Sequence, residues 1–451
     1  MSSPTISLDE RSIRAATKTA YLVVLLDMAG LSLIFPLYPS MLTYYLDLEG
    51  QSGVLRSIVG VLDQFSVAMG GAGGRGHVVL FGGLLGSLYA LLQFLCAPLF
   101  GSLSDRYGRR PILLFSTAGM ALSYLIWCFA GSFSLLIVSR VVGGLMSGNI
   151  AAASAVIADV TPETKRSRGM AMLGFSVGMG FMLGPTVGGF ASAVNFAELF
   201  PSLTAYGINK FTSGALGALL LAVANFLCVA LFLRETRPLA TGASAAAQRS
   251  INPLALFAMR SAPGVSRTNL IYFIYILSFS GMEFSLTFLA ADRLNYGPKR
   301  LTLVMLFIGI VLAMTQGSYV RRKSDAIGPK RMGMQGLALC IPGLVLVGYA
   351  YSSWVLFLGL AIMSVGSAQV RPCLSALASL YAPEREQGRV LGVFRSMESL
   401  ARALGPLVAC LLYWRLGASQ AYAIAAAVIA VPLGIAWTLP KPPVREAPAV
   451  A

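Results

Sequence analysis

The sequence predicts an all-α membrane protein with twelve transmembrane helices in two six-helix pseudo-repeats, both termini lying on the cytosolic side. Three observations predict it. Of the 451 residues, 56% are hydrophobic and 12% charged, whereas a soluble domain carries about 25% charge; the mean hydropathy is +0.74. Basic residues fall in short clusters between apolar runs, more of them on one side than the other. Landmarks of the first half of the chain recur in the second at a near-constant spacing.

A spanning helix needs about 20 apolar residues. In lipid it must be a helix, because no water is at hand to satisfy the backbone. Runs of that kind are read at 19–43, 78–101, 111–130, 133–157, 169–193, 213–233, 268–290, 301–320, 332–350, 354–380, 390–413 and 420–439. The first carries Asp27, Pro36 and Pro39 and reads as a retained helix, with no cleavable signal peptide evident.

With both termini in the cytosol, Lys and Arg number 23 on the cytosolic side. Seven lie opposite, namely Arg56, Arg75, Lys210, Arg293, Lys299, Arg300 and Arg415. Arg140, Arg371, Arg395 and Arg402 fall inside helices. This bias orients the chain N-in, C-in. The same distribution argues against reading the formal charge of +16 as nucleic-acid binding. All six cysteines (Cys96, Cys128, Cys228, Cys340, Cys373 and Cys410) lie in apolar segments and read as buried thiols. His77 is the only histidine, and no phosphate loop or metal-ligand spacing is present. No enzyme, metal or cofactor is therefore expected.

The repeat is visible in residues. Pro162, Glu163 and Arg168 recur as Pro383, Glu384 and Arg389 at an offset of 221, and Leu183-Gly184-Pro185 recurs as Leu404-Gly405-Pro406. Asp105-x-x-Gly108 is echoed by Asp325-x-x-Gly328. The implied organisation is a cytosolic tail at 1–18, a bundle at 19–233, a cytosolic linker at 234–266, a second bundle at 267–439 and a tail at 440–451. The polar, Ala/Ser-containing linker reads as flexible, with room for a short surface helix from Ile251 to Arg260. A parallel six-plus-six repeat places a substrate site between the halves near mid-membrane.

Between the second and third spans stands Gly101-Ser-Leu-Ser-Asp105-Arg106-Tyr-Gly108-Arg109-Arg110-Pro111. Gly101 reads as a point of close helix approach and Gly108 as a tight turn. Asp105 can accept from a helix N-terminus and from arginine. The string resembles the signature loop of the major facilitators, so the twelve helices are expected to adopt the major facilitator fold. The resemblance implies that Asp105 latches the halves against the start of span 11; a topology-fixing basic loop is the alternative. Gly178 to Gly189, with Gly184 and Pro185, resembles that family's antiporter motif. Its glycines allow close packing and its proline a bend, and ordinary small-residue packing is the other reading. Arg140 followed by Gly143, Gly144 and Gly148 resembles the Arg-x-x-x-Gly motif of proton-linked drug exporters.

A narrower resemblance runs over all twelve spans. Leu26-Asp27-Met28-Ala29-Gly30, Tyr89-Ala90-Leu91-Leu92-Gln93-Phe94 and Ile157-Ala158-Asp159-Val160-Thr161 are similar to the bacterial tetracycline:proton antiporters. Phe279-Ser280-Gly281-Met282-Glu283-Phe284, Pro372-Cys373-Leu374-Ser375 and Arg402-Ala403-Leu404-Gly405-Pro406 resemble the eukaryotic tetracycline-transporter-like branch, which is associated with organic-anion transport. One departure stands out. The bacterial pumps carry an aspartate in span 3 where this chain has Leu122-Ser123-Tyr124, so the resemblance does not carry tetracycline–metal export to it.

Seven ionisable residues lie within the spans: Asp27, Arg140, Glu283, Arg371, Arg395, Glu398 and Arg402. Facing lipid together they would cost on the order of 20 kcal/mol, so they must line the interior or pair. Arg395, Glu398 and Arg402 share one helical face. They form either a self-satisfied ion-pair cluster or a charged cavity wall, with Arg402 open to an anion. Asp27 is the first choice for proton carrier, a fixed salt bridge to Arg140 being the alternative; Arg140 and Glu283 are further proton-coupling candidates. Arg402, Glu398, Arg371 and Gln93 are the substrate-binding candidates, although Arg371 and Arg395 could instead snorkel to the interface. Gly101, Asp105, Arg106, Gly108, Arg109, Arg110, Gly184 and Pro185 are the gating candidates. The substrate's apolar body is expected against aromatic residues of spans 7 and 10. These features point to proton-coupled alternating access for small organic solutes, organic anions or amphiphilic drugs. The chain would act as a monomer in the lipid bilayer, of the plasma membrane or else of an intracellular membrane. A non-transporting sensor or scaffold on the same fold is the competing reading.

Overall fold

The structure, a computed structural model, describes residues 9–49, 55–58, 60, 61, 64, 76–236, 263–382 and 387–440. The proposed helix from Ile251 to Arg260, most of the linker, the ends of both tails, and Pro383 and Glu384 lie outside the described residues, as do the side chains of His77, Glu163, Arg168, Asp325 and Arg389.

The described elements are helices. α1 (Glu10–Ser32) opens on an Asp9 cap that accepts from the Ser12 amide at 3.3 Å. It starts nine residues before the apolar run because the polar first turns are helical too. Pro36 and Pro39 cannot donate to the helical ladder, so the chain passes through a tighter turn at Phe35–Leu37 before continuing as α2 (Tyr38–Glu49). α3 (Gly76–Tyr107) and α4 (Arg109–Cys128) follow. The fourth span, read as one helix, is two: α5 (Phe133–Met146) and α6 (Asn149–Val160). The break falls where the Ser147 hydroxyl turns back onto the Gly144 carbonyl at 2.7 Å, beside Gly148, against which Phe100 packs. α7 (Glu163–Ala191) runs unbroken through Pro185, and α8 (Thr212–Phe232) closes the first half.

The second half repeats the plan. It holds α9 (Pro263–Leu294), α10 (Pro298–Thr315) with a wide turn at Gln316–Val320 into α11 (Arg321–Ile327), α12 (Pro329–Gly348), α13 (Ser353–Tyr381), α14 (Gln387–Leu416) and α15 (Ala418–Trp437). The repeated loops turn on the same device. Gly108 and Gly328, each directly before a helix, sit at φ +97° and +83°, a backbone that favours glycine.

Eleven of the described segments are long and apolar enough to cross a membrane. α14 is not among them, because Arg395, Glu398 and Arg402 dilute its apolar residues. Outward faces carry bare Leu231, Phe232 and Met314, an apolar surface that lipid would cover.

The halves meet along two seams, α3 against α14 and α7 against α10. Where the seams are tightest, glycine is the residue that fits. Gly83 faces Cys410 and the Pro406 carbonyl, Gly82 and Gly86 face Phe288 and Phe284, and Gly189 faces Thr302. All of these lie toward the end of the bundle opposite the termini. Three further glycines of α7 pack within their own half, Gly180 and Gly184 lying on the α1 backbone at Leu25 and Ala29 and Gly188 on the Leu33 backbone just beyond it. Gly178 departs from the close packing expected of its motif, because an added Cβ there would meet nothing within 4 Å among the described residues.

Candidate transport site

A cavity of about 120 Å³ lies between the halves. One wall comes from α1, the Phe35 turn, the start of α2, α3, α5, α6 and α7, the other from α9 and α14. Arg395, Glu398 and Arg402 all line it, as their shared face predicts, with Glu283 on the neighbouring α9. Arg402 donates from Nε and an η nitrogen to one Glu398 oxygen at 3.4 and 3.3 Å. Both partners keep some exposure, 16% and 21%. The Arg402 guanidinium also lies 4.4 Å from the ring centre of Phe181, on the opposite half. Arg395 does not snorkel: it donates to the Met170 carbonyl of α7 at 2.7 Å and so ties the halves near the termini.

The aromatic part of the wall differs from expectation. Phe35, Tyr38, Tyr89, Phe181 and Phe284 form it, with ring centres 5.1 to 6.2 Å apart in Tyr38–Phe284, Phe35–Phe181 and Phe35–Phe284. Phe284 belongs to span 7, but span 10 contributes none, because α13 packs against α12, α10 and α9 instead. For the same reason Arg371 stands outside the cavity wall, its guanidinium 5.1 Å from the Phe279 ring centre.

On the first half, Gln93 and Arg140 line the cavity. Arg140 is 2% exposed. It rests over Trp127 at 4.6 Å and Tyr124 at 5.8 Å, and donates to Ser139 Oγ at 3.2 Å. Asp27 is buried behind the wall at 4% exposure. Its partner is the Asn149 amide, which donates to Oδ1 at 2.9 Å, and the other carboxylate oxygen has no hydrogen bond. The fixed salt bridge to Arg140 is not formed among the described residues. Where the bacterial pumps carry their span-3 aspartate, Ser123 and Ser139 exchange hydroxyl-to-carbonyl bonds at 2.8 and 2.9 Å, stapling α4 to α5.

The loop between α3 and α4 is a dense polar knot. Arg109 pairs with Asp105 and Asp159, both at 2.8 Å, and donates to Ser104 Oγ at 2.8 Å. The Glu235 carboxylate, beyond the end of α8, accepts from the Arg109 and Arg110 backbone amides at 2.8 and 3.0 Å. It thereby caps α4 where the positive end of the helix favours an anion. Arg110 donates to the Ala230 carbonyl at 2.9 Å, and Arg106 lies over the Tyr107 ring at 5.2 Å. Gly101 corrects the sequence reading: a Cβ there would meet nothing within 4 Å among the described residues, since no neighbouring helix closes on α3 at that level.

The sequence reading assigned no role to Asn149, Asp159, Glu235 or Phe181. Asn149 was detectable as an amide inside an apolar run, where an unsatisfied polar group is costly. Asp159 lies in the Ile157–Thr161 string that is similar to the bacterial antiporters, which by itself assigned it no partner, and Glu235 sits at a span end, where charge is ordinary and nothing local marks it out.

Comparison with known proteins defines the class. The Major Facilitator Superfamily model matches residues 20–406 and 317–451. The chain belongs to that superfamily: it is a membrane transporter of small molecules, not an enzyme. It is 38% identical to Major facilitator superfamily domain-containing protein 10 of Bos taurus, over 94% of this chain and 92% of that one. It is 28% identical to the class C tetracycline resistance protein of Escherichia coli, over 86% and 87%. The crystal structure of the human organic anion transporter MFSD10 (TETRAN) superposes with a TM-score of 0.74 at 33% identity, over 94% of this chain and 99% of that one. These relatives bear out the expected family and branch.

Asp105 holds Arg109 within its own half, and its latch against the start of α14 is a proposal. A charge at a helix terminus contributes about 0.3–1 kcal/mol, up to ~2 when partly buried, so Asp105→Asn should open the gate roughly two- to thirtyfold more often. Labelling of a cysteine placed at the open Gly174 position, by an impermeant reagent added from the side of the termini, should rise by that factor. Unchanged labelling with unchanged transport would reduce the loop to a topology signal, and labelling only from the other side would reverse the orientation.

Proposed function

We propose that this protein is a proton-coupled transporter of organic anions, amphiphilic drugs being the second solute class, and that it works by rocking its halves about the cavity. The observation that carries this reading is the charged face of α14, Arg395, Glu398 and Arg402, set against an aromatic cluster inside the cavity. A cation beside rings suits a solute with an acidic group and an apolar body. The description of the human structural neighbour as an organic anion transporter supports it. In this reading Asp27 carries the proton, and α14 is the eleventh span in chain order and completes the twelve, its polar face turned inward. The bundles at 19–233 and 267–439 are the moving units, 234–266 their cytosolic tether, and the unit is a monomer of the plasma membrane. The basic-residue bias supports N-in, C-in.

Purified protein in liposomes should show counterflow of a labelled aromatic monocarboxylate, and an imposed pH gradient should drive its accumulation. Counterflow without a pH response would remove the proton. No counterflow with any of a panel of organic anions would leave the sensor or scaffold reading.

A further inference from the structure

The first-half wall of the cavity holds a pattern that the transport reading does not use. Two buried polar atoms on residues of that wall lack any hydrogen-bond partner, Gln93 Nε2 and Arg140 Nε. Both are donors. Arg140 is 2% exposed and makes no ion pair among the described residues, yet it is held in place by Trp127, Tyr124 and Ser139. The unpartnered groups nearby that can accept, Asp27 Oδ2, Asn149 Oδ1 and the Tyr124 hydroxyl, belong to residues outside the cavity wall. The wall therefore offers donors and asks for an acceptor. An unpaired interior cation is expensive, and an anionic group bound beside it relieves that cost.

We propose that Arg140 and Gln93 form a second acid-binding subsite, facing Arg402 across the cavity, and that the preferred substrates are aromatic solutes with two acidic groups. The first acid meets Arg402 on α14, the aromatic body rests among Phe35, Phe181 and Phe284, and the second acid takes the free donors of Arg140 and Gln93. Such a solute touches both halves at once. This rests on the organic-anion reading above and narrows it.

The test compares naphthalene-2,6-dicarboxylate with 2-naphthoate, measured by calorimetry on the purified full chain. Charge-assisted hydrogen bonds of this kind are worth roughly a factor of ten or more, so the diacid should bind the parent at least about tenfold more tightly. Arg140→Gln should bring the diacid-to-monoacid ratio close to one. Gln93→Leu, which leaves the cation and its ring contacts in place, should lower the ratio by about threefold or more. If the parent binds the monoacid and the diacid equally, the subsite is refuted while the organic-anion reading stands. If both variants keep the parent's ratio, the subsite is likewise refuted. If the parent binds neither probe, the organic-anion reading falls and the subsite with it.

Discussion

Asp27→Asn should abolish accumulation driven by a pH gradient while leaving substrate exchange at least partly intact. Each pH unit across the membrane is worth ~1.4 kcal/mol per coupled proton, or about tenfold in accumulation. With one proton per substrate and a gradient of two units, the parent can concentrate its substrate about a hundredfold, and the variant should concentrate it not at all. The structure makes the substitution a clean one. Asp27 sits behind the cavity wall with a single hydrogen-bond partner, the Asn149 amide, and an amide of nearly the same shape can still accept from it. What is lost is the atom that takes up and releases a proton. Exchange needs the cavity and the rocking motion but no net proton movement, so it should persist. A variant that still answers normally to the gradient would show that another group carries the proton, and Glu283 on the cavity wall would be the next to replace.

Arg402→Gln should weaken anionic substrates about 10- to 100-fold and neutral ones by far less. A hydrogen bond to a charged group contributes about 1.5–3 kcal/mol, and Arg402 is the cavity arginine that lies against the aromatic cluster. Its bonds to Glu398, at 3.3 and 3.4 Å to a single oxygen, are longer than a strong charge-assisted pair, which leaves the fork free to accept a second partner. Arg402→Lys should also weaken binding, because a point charge does not reproduce the planar fork. Either change leaves Glu398 with altered compensation inside the bundle. The double variant Arg402→Gln with Glu398→Gln restores neutrality and separates lost recognition from lost folding. A well-folded Arg402→Gln protein with parental anion affinity would sink the assignment.

Much of the fold was legible because lipid removes choices: a long apolar run must be a helix. Landmarks such as Gly108 and Gly328 could be read because a left-handed turn favours one residue type. The charged face of α14 was legible from helical spacing alone, although hydropathy by itself passes over that helix. What failed was anything set by the register between helices. Gly101 and Gly184 are the same residue in similar apolar settings, yet only Gly184 has a helix against it. Arg371 and Arg402 both looked like interior arginines, but α13 carries one behind Phe279 while α14 carries the other into the cavity. Asn149 finds Asp27 across 122 residues of chain, a separation that no local pattern encodes.

The Glu235 cap has a consequence for how the protein is made. The carboxylate that satisfies the Arg109 and Arg110 amides lies 126 and 125 residues further along the chain. At about 5–20 residues per second, the ribosome needs roughly 6 to 25 seconds to deliver it. During that interval the α3–α4 loop is already synthesised while its α4 amides await their acceptor, and Arg109 has Ser104 and Asp105 and, later, Asp159 to hold. The α4 cap is therefore completed only after the last helix of the first half has been made, so the loop's backbone amides gain their acceptor later than its arginine side chain gains its carboxylates.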